Sequence, residues 1–324
     1  MNILIAGAGA LGSRHLQACL KLNTSCNIFV VDPSPNSISV AKERACQVEN
    51  SKIHNLFFYN ELKSIRENSF DYVIVATNAA HRYEISKQII EEFSPKVIFL
   101  EKVLFQTIYE YEKFSSLIEG KSIEIYVNCP FRTYPIFRYI KNNYLIRDSR
   151  VDVSYSGGEW IGLCCNSIHY IDVTKYFCDY EVSCIQTDYL DNTVIQSKRM
   201  GYIELTGNLI CQFSDGSKLS ILSKKDSDES SELIITQENY KFIIDEYTGL
   251  LSVFNNDILV ENKEFGVVYQ SNLTNLLIED FEKRGTCNLI KYEESADIHK
   301  KLIASLLGFY NSKSKTSTDI LPIT

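Results

Sequence analysis

Short apolar runs alternate with amphipathic stretches over roughly the first 125 residues. Asn2 to Ala6, Asn27 to Val31, Phe57 to Tyr59, Tyr72 to Ala76, Lys96 to Leu100 and Ile123 to Val127 read as strands. Ser13 to Leu22, Ser37 to Cys46, His81 to Phe93 and Thr107 to Ile118 carry helical spacing between them. A βαβ rhythm of this kind predicts a doubly wound parallel sheet with helices on both faces, an α/β domain over residues 1–125.

Beyond residue 125 the pattern changes. Asn128 to Asn143 reads as a loop and a helix, and Ile168 to Phe177 as a second helix. Alternating runs at Val151–Ser156, Val182–Tyr189, Tyr202–Phe213, Lys218–Leu222, Glu232–Thr236, Lys241–Asp245 and Leu250–Phe254 are separated by turn signals such as Asp215-Gly216 and Thr248-Gly249. Consecutive strands with hairpin turns predict a large, mainly antiparallel, open-faced sheet, so residues 126–324 form an α+β domain. Helices at Leu273–Phe281 and Ser295–Tyr310 pack back to close it, the polar stretch Ser223–Ser231 is a solvated hairpin tip, and the tail from Ser312 frays.

Composition narrows the function classes. Of 324 residues, 45% are hydrophobic and 23% charged, which is ordinary for a folded chain. With 33 Lys and Arg against 41 Asp and Glu, the net charge of −8 gives no global field for nucleic acid or anionic lipid. No run approaches the roughly 20 apolar residues that span a bilayer, and the N-terminal stretch lacks the features of a secretory leader. Ten cysteines without CxxC or zinc-type spacing predict reduced thiols, a cytoplasmic location and no metal site.

Candidate chemistry gathers at the carboxyl ends of the first domain's strands. Gly7, Ala8, Gly9, Ala10, Leu11 and Gly12 form a G-x-G-x-x-G turn from strand to helix, where backbone can approach a pyrophosphate at a helix N-terminus. Asp32, 20 residues beyond Gly12, ends the next strand, where a carboxylate takes both hydroxyls of an adenine ribose and repels a 2′-phosphate. NAD is therefore favoured over NADP, a preference that Ser34 or Arg14 could soften; the bland alternative is a glycine-rich helix entry with a capping aspartate. Ala76, Thr77, Asn78 and His81 follow the fourth strand, and Glu101-Lys102 the fifth. In the second half, His169 and Asp172 share a helix face, with Cys165 and Asn166 one turn earlier.

This ensemble resembles the glucose-fructose oxidoreductase, inositol dehydrogenase and rhizopine-catabolism (MocA-type) oxidoreductase family. Gly7, Gly9, Gly12, Arg14 and His15 match its GxGxxGxRH opening, Ala76, Thr77 and His81 its A-T-x-x-x-H element, and Glu101-Lys102 its E-K-P. Asn128 and Arg132 match its N-x-R region, and His169 with Asp172 its H-x-x-D helix. The resemblance implies an NAD-dependent enzyme that moves a hydride between nicotinamide and a hydroxyl or keto carbon of a sugar, sugar acid or nucleotide sugar. His169 is its general base, and Lys102 stabilises the developing alkoxide. Gly7, Gly9, Ala10, Leu11, Gly12, Asp32, Ala76, Thr77, Asn78, His81, Glu101 and Lys102 then hold the cofactor.

For the substrate the same resemblance implies Asn128, Arg132, Cys165, Asn166 and His169, with Tyr134, Tyr155 and Trp160 as lining. Arg132 reads equally well as a structural ion pair. Two departures stand out. Val103 replaces the proline after Lys102, so a turn built differently, or a trans peptide, is expected. Cys165 occupies the position of an aspartate four residues before the histidine, as in a branch with a C-N-x-I-H-Y/F-I-D helix tied to surface-glycan sugars. A homodimer or homotetramer follows from the open sheet face. Two other fates fit the same residues: a redox-neutral epimerase or eliminase with tightly held NAD, and a non-catalytic regulator that senses NAD or sugar.

Overall fold

The computed structural model describes residues 1–157, 162–224, 231–314 and 316–324, apart from the side chain of Asn50. Two compact units are present. The first comprises Met1–Phe105, Tyr109–Asn128 and Val268–Glu293; the second comprises Gln106–Ile108, Cys129–Val267 and Glu294–Thr324.

In the first unit, β1 (Asn2–Ala6), β2 (Asn27–Val31), β3 (Asn55–Tyr59), β4 (Ser69–Val75), β5 (Ser94–Leu100) and β6 (Glu124–Val127) pair in parallel in the order β3-β2-β1-β4-β5-β6. Central strands read as continuous apolar runs because both faces are covered: Ile3, Leu4, Ile5, Val73, Ile74, Val75 and Ile98 have no exposed surface. Helices α1 (Gly12–Cys19), α2 (Pro35–Cys46), α3 (Ala79–Glu92) and α4 (Ile108–Ile118) make the crossovers. Sequence chemistry sets where they start. Ser34 caps α2 by accepting the Ser37 N–H at 3.3 Å, with Pro35 in the first turn, where its missing N–H costs no hydrogen bond.

The second unit holds α5 (Pro135–Asn143), β7 (Asp152–Gly157), α6 (Leu163–Cys178), β8 (Val182–Leu190), β9 (Ile195–Gln196), β10 (Ile203–Glu204), β11 (Gly207–Phe213), β12 (Lys218–Ser223), β13 (Glu232–Gln237), β14 (Tyr240–Asp245), β15 (Leu250–Asn255) and β16 (Ile258–Glu264). Eight of these strands form one sheet in the order β16-β15-β14-β13-β7-β12-β11-β8, antiparallel except for β7 and β12. Strict alternation gives it one buried face, with Leu219, Ile221, Leu233, Ile235, Phe242 and Val253 inside, and α6 packs on β11 and β12. Leu222, Ile234, Ile243 and Phe254 point the other way and are half-buried.

The chain then returns to the first unit. Helix α7 (Thr274–Arg284) precedes β17 (Ile290–Lys291), which pairs antiparallel with β6 and makes a seventh strand. A division at 125/126 leaves this return out. The final helix is α8 (Tyr292–Lys313).

Three local expectations change. The run 202–213 is not one strand: Gly207, at φ +99°, breaks it into β10 and β11, and a Cβ there would meet the Tyr189 carbonyl oxygen at 2.6 Å. Strand β16 went unpredicted because its residues are mostly exposed and show no two-residue period. The tail does not fray. Leu321 and Ile323 are fully buried, the Leu321 N–H donates to the Gln106 carbonyl at 3.0 Å, and the Ile203 N–H donates to the Pro322 carbonyl at 2.8 Å. The Ser223–Ser231 tip lies largely outside the described residues, as does Trp160.

Candidate functional site

The turn from β1 into α1 is built by steric exclusion. Gly7 sits at φ +95°, and a Cβ there would lie 2.9 Å from the Ala76 carbonyl; one on Gly12 would lie 1.8 Å from the Gly7 oxygen. Gly9 differs, because nothing stands within 4 Å of its missing side chain. Two glycines therefore close the turn on itself, and the third leaves the loop open to a ligand.

Asp32 ends β2 beside this loop. Its Oδ2 accepts the Ala8 N–H at 2.7 Å and its Oδ1 the Ser34 N–H at 2.8 Å, which fixes the carboxylate in place. A cleft of about 690 Å³ runs along the strand ends, and its walls include Gly7, Gly9, Asp32, Ala76, Thr77, Asn78 and His81. Its volume lies in the range of small-molecule sites. The Thr77 hydroxyl is buried there without a hydrogen-bond partner. An orphaned hydroxyl, an open glycine and an anchored carboxylate in one cleft fit the phosphates and ribose of a dinucleotide. Asn60 and Lys63 also line the wall; sequence reasoning missed them because a loop after β3 has no periodic signal.

The remaining cofactor candidates sit elsewhere. Ala10 is exposed at the crest of the loop, its carbonyl accepting Arg44 at 2.9 Å, and Leu11 lies beside it, half-exposed. Arg14 is exposed and donates to Gln17 at 2.7 Å. Glu101 is 3% exposed behind the strand ends. One of its oxygens lies 2.9 Å from His15 Nε2, while His15 Nδ1 lies 2.8 Å from the Thr274 hydroxyl on α7. Asn128 donates to Glu101 and, at 3.0 Å, to Gln270. Burial opposes the Glu101 charge, yet the His15 hydrogen bond and charge, the Asn128 amide and the Arg82 cation outweigh it and hold the carboxyl below its usual range. Asn128, expected on the substrate, is instead only 4% exposed, with its NH2 group engaged in this network.

Lys102, half-exposed, follows β5, and the peptide after it is cis, not the trans bond that was one of the two expectations. Arg82 of α3 organises this rim, although nothing in the pattern singled it out. It is 2% exposed and donates to the carbonyls of Thr77, Val103 and Leu104, the last at 3.0 Å, so it ties the loop after β4 to the turn after β5.

In the second unit the helix α6 is buried except at Cys165, Asn166, His169 and Tyr176. Phe131 stacks on the His169 ring at 5.1 Å and meets Tyr170 edge-on at 5.3 Å. Arg132 is committed to Asp172, donating from Nε at 2.9 Å and from Nη2 at 2.6 Å to a carboxylate side chain 1% exposed. Its fork thus braces α6, so of the two readings of Arg132 the geometry favours the ion pair over a substrate contact. Burial works against the Arg132 charge, but the Asp172 carboxylate more than compensates and raises its pKa.

Tyr155 is 4% exposed, stacked on Tyr170 at 4.4 Å, and Tyr170 donates to Glu246 at 2.8 Å. Glu204, buried on β10, accepts the Cys164 N–H at 2.7 Å. Neither glutamate was singled out, because each reaches its partner from a separate strand or loop. Among the described residues, no cluster of His, Cys, Asp and Glu could hold a metal ion, and no helix is long and apolar enough to cross a membrane.

Comparisons with known proteins agree with this geometry. Residues 1–129 match the GFO_IDH_MocA oxidoreductase family with its NAD-binding Rossmann fold. No curated protein matches the chain in sequence. Among solved structures, an oxidoreductase from Agrobacterium radiobacter in complex with NAD+, L-tartaric acid and magnesium is similar at a TM-score of 0.72 and 12% identity, covering 96% of this chain and 97% of its own. A UDP-N-acetylglucosamine 3-dehydrogenase from Acidithiobacillus ferrooxidans gives a TM-score of 0.69 at 12% identity, over 95% of this chain and 96% of that one. A super-repressor mutant of Gal80p from Saccharomyces cerevisiae gives 0.69 at 14%, over 98% and 99%. At these identities the structures share the fold, a parallel Rossmann sheet followed by a mainly antiparallel one. Residues 1–129 thus match the NAD-binding Rossmann fold of the Gfo/Idh/MocA oxidoreductases, and the chain as a whole has the two-sheet architecture of these structures.

Proposed function

We propose that the protein is an NAD-dependent dehydrogenase acting on a CH–OH group of a sugar, sugar acid or nucleotide sugar. The observation that carries the reading is the cleft in which the open Gly9, the anchored Asp32 carboxylate and the orphaned Thr77 hydroxyl meet. Bound NAD supplies the hydride acceptor or donor. Gly7, Gly9, Asp32, Ala76, Thr77, Asn78 and His81 hold it, and Ala10, Leu11 and Gly12 shape the loop. Glu101 acts from behind, by keeping the strand-end network charged and ordered.

Lys102 and His169 are the turnover residues. His169 has the intrinsic pKa of a general base, and a lysine ammonium stabilises oxygen charge. Cys165 and Asn166 share the half-open face of α6 with His169 and are assigned to the substrate. A sugar substrate draws support from the fold shared with the UDP-N-acetylglucosamine 3-dehydrogenase. Ten cysteines without CxxC or zinc-type spacing favour a reducing, cytoplasmic compartment. The half-buried Leu222, Ile234, Ile243 and Phe254 on the outward sheet face favour a homo-oligomer, which light scattering measures directly.

The test is a nicotinamide-fluorescence titration with NADH and with NADPH, followed by a sugar and nucleotide-sugar screen with NAD. NADH binds tighter, Asp32→Ala abolishes that preference, and Lys102→Ala and His169→Ala keep NADH affinity while losing turnover. A protein that binds neither nucleotide does not fit this reading. The Gal80p neighbour favours one second reading, a regulator that binds the nucleotide without turning it over. On that second reading this chain binds NADH but turns over no sugar in the same screen.

A further inference from the structure

The first turn of α6 carries Cys165, which stands where the family pattern has an aspartate. A carboxylate is nonetheless present at that turn. Glu204, 40 residues away in sequence from Cys164, is 2% exposed and accepts the Cys164 N–H at 2.7 Å. The Cys165 N–H and the thiols of both Cys164 and Cys165 hydrogen-bond the same carboxylate, and the Cys165 thiol also donates to the Gly162 carbonyl at 3.6 Å. An ordinary helix cap comes from the residue just before the helix. This one comes from a two-stranded ribbon, β9 with β10, held in place by the Pro322 carbonyl.

The arrangement sets two fields against each other. The positive pole of a helix N-terminus favours negative charge, and Cys165 lies half-exposed in the first turn of this 16-residue helix. A carboxylate accepting that thiol's hydrogen bond keeps the proton on sulfur. The negative pole then rests on Glu204, and Cys165 passes its orientation to the face that also bears Asn166 and His169.

We infer that Glu204 is a positioning residue, and that its hydrogen-bonded pair with Cys165 supplies to α6 the carboxylate that the family pattern carries on the helix itself. Its part in turnover rests on the dehydrogenase reading; its pairing with Cys165 does not. Burial pushes the Glu204 carboxyl up, and the thiol and main-chain donors pull it partly back.

Two measurements on the full chain decide the matter. Iodoacetamide labelling followed by mass spectrometry, on wild type and Glu204→Gln, reads the rate at each cysteine. The exposed Cys46 and Cys184 serve as references, and the buried Cys211 reports that the fold is intact. Cys165 reacts about fivefold or more faster in Glu204→Gln, with the references unchanged; equal Cys165 rates overturn the pair. In the turnover assay Glu204→Gln falls about tenfold or more at unchanged NADH affinity. Adding Cys165→Asp to Glu204→Gln restores a large part of the loss, an outcome that a merely structural cap does not produce. Full turnover in Glu204→Gln, or no rescue by the second change, overturns the positioning role. A wild-type protein without turnover on any sugar removes the dehydrogenase reading and that role with it, while the labelling rates still decide the pair.

Discussion

Glu101 in the first unit and Glu204 in the second are carboxylates buried to the same degree, 3% and 2% exposed, yet they are held on opposite sides of the ordinary glutamate range. Burial pushes both upward. Around Glu101 stand a histidine ring, an amide and the nearby Arg82 guanidinium, and together they overcome it. Around Glu204 stand main-chain N–H groups and thiols, which do not. At equal depth, partner chemistry decides on which side of the ordinary range a buried acid is held. Asp172 shows the limit of that rule: both arms of Arg132 reach its carboxylate, yet burial outweighs them and pushes its carboxyl up.

The largest expected effect removes a cation from that third acid. Arg132→Met leaves Asp172 buried and unmatched, and should cost about 3–5 kcal/mol in urea unfolding. A loss below about 1 kcal/mol would mean that Asp172 does not depend on its partner. Next comes the contrast itself. Glu101→Gln should lose about 2 kcal/mol at pH 7, because the charge-assisted bonds to His15 and Asn128 go with the charge. The folded pKa of Glu101 is depressed, so its contribution is present above the unfolded value of about 4.3 and is lost as pH falls through the folded value.

Glu204 has a raised pKa, and the sign reverses: its contribution is complete below the unfolded value and lost as pH rises through the folded one. The stability of Glu204→Gln relative to wild type should therefore climb with pH from about 4.3 upward, while that of Glu101→Gln declines with rising pH below about 4.3 and is level above it. Unfolding curves between pH 3 and 8 measure both slopes, and two slopes of the same sign would break the comparison. The smallest effect concerns a polar atom with no partner at all. Thr77→Val should weaken NADH binding about tenfold and leave the stability of the nucleotide-free protein within about 0.5 kcal/mol.

What was readable in the sequence is what local physics encodes. The Gly7–Gly12 turn, Asp32 at the end of β2 and the order of the parallel strands follow from glycine conformation and apolar runs a few residues long. The Rossmann domain was therefore legible almost strand by strand. Glu204, Arg82 and the Thr274–His15 contact were not, because each joins elements far apart in the chain and leaves no periodic trace. Strand β16 escaped through its exposure, and β9 and β17 through their two-residue length. Arg132 and Asp172 could be singled out but not paired, since sequence places both on plausible surfaces and only the fold brings the fork to the carboxylate.

The return of residues 268–293 to the first unit bears on how the protein is made. His15 leaves the ribosome early, but the Thr274 hydroxyl beside its Nδ1 is 259 residues behind it. At ribosomal speeds that gap lasts on the order of tens of seconds. During that interval the six parallel strands can pair while the polar layer beneath Glu101 lacks its last partners. Residues 1–128 are synthesised before the second unit, yet their buried polar layer is complete only once Thr274 has followed.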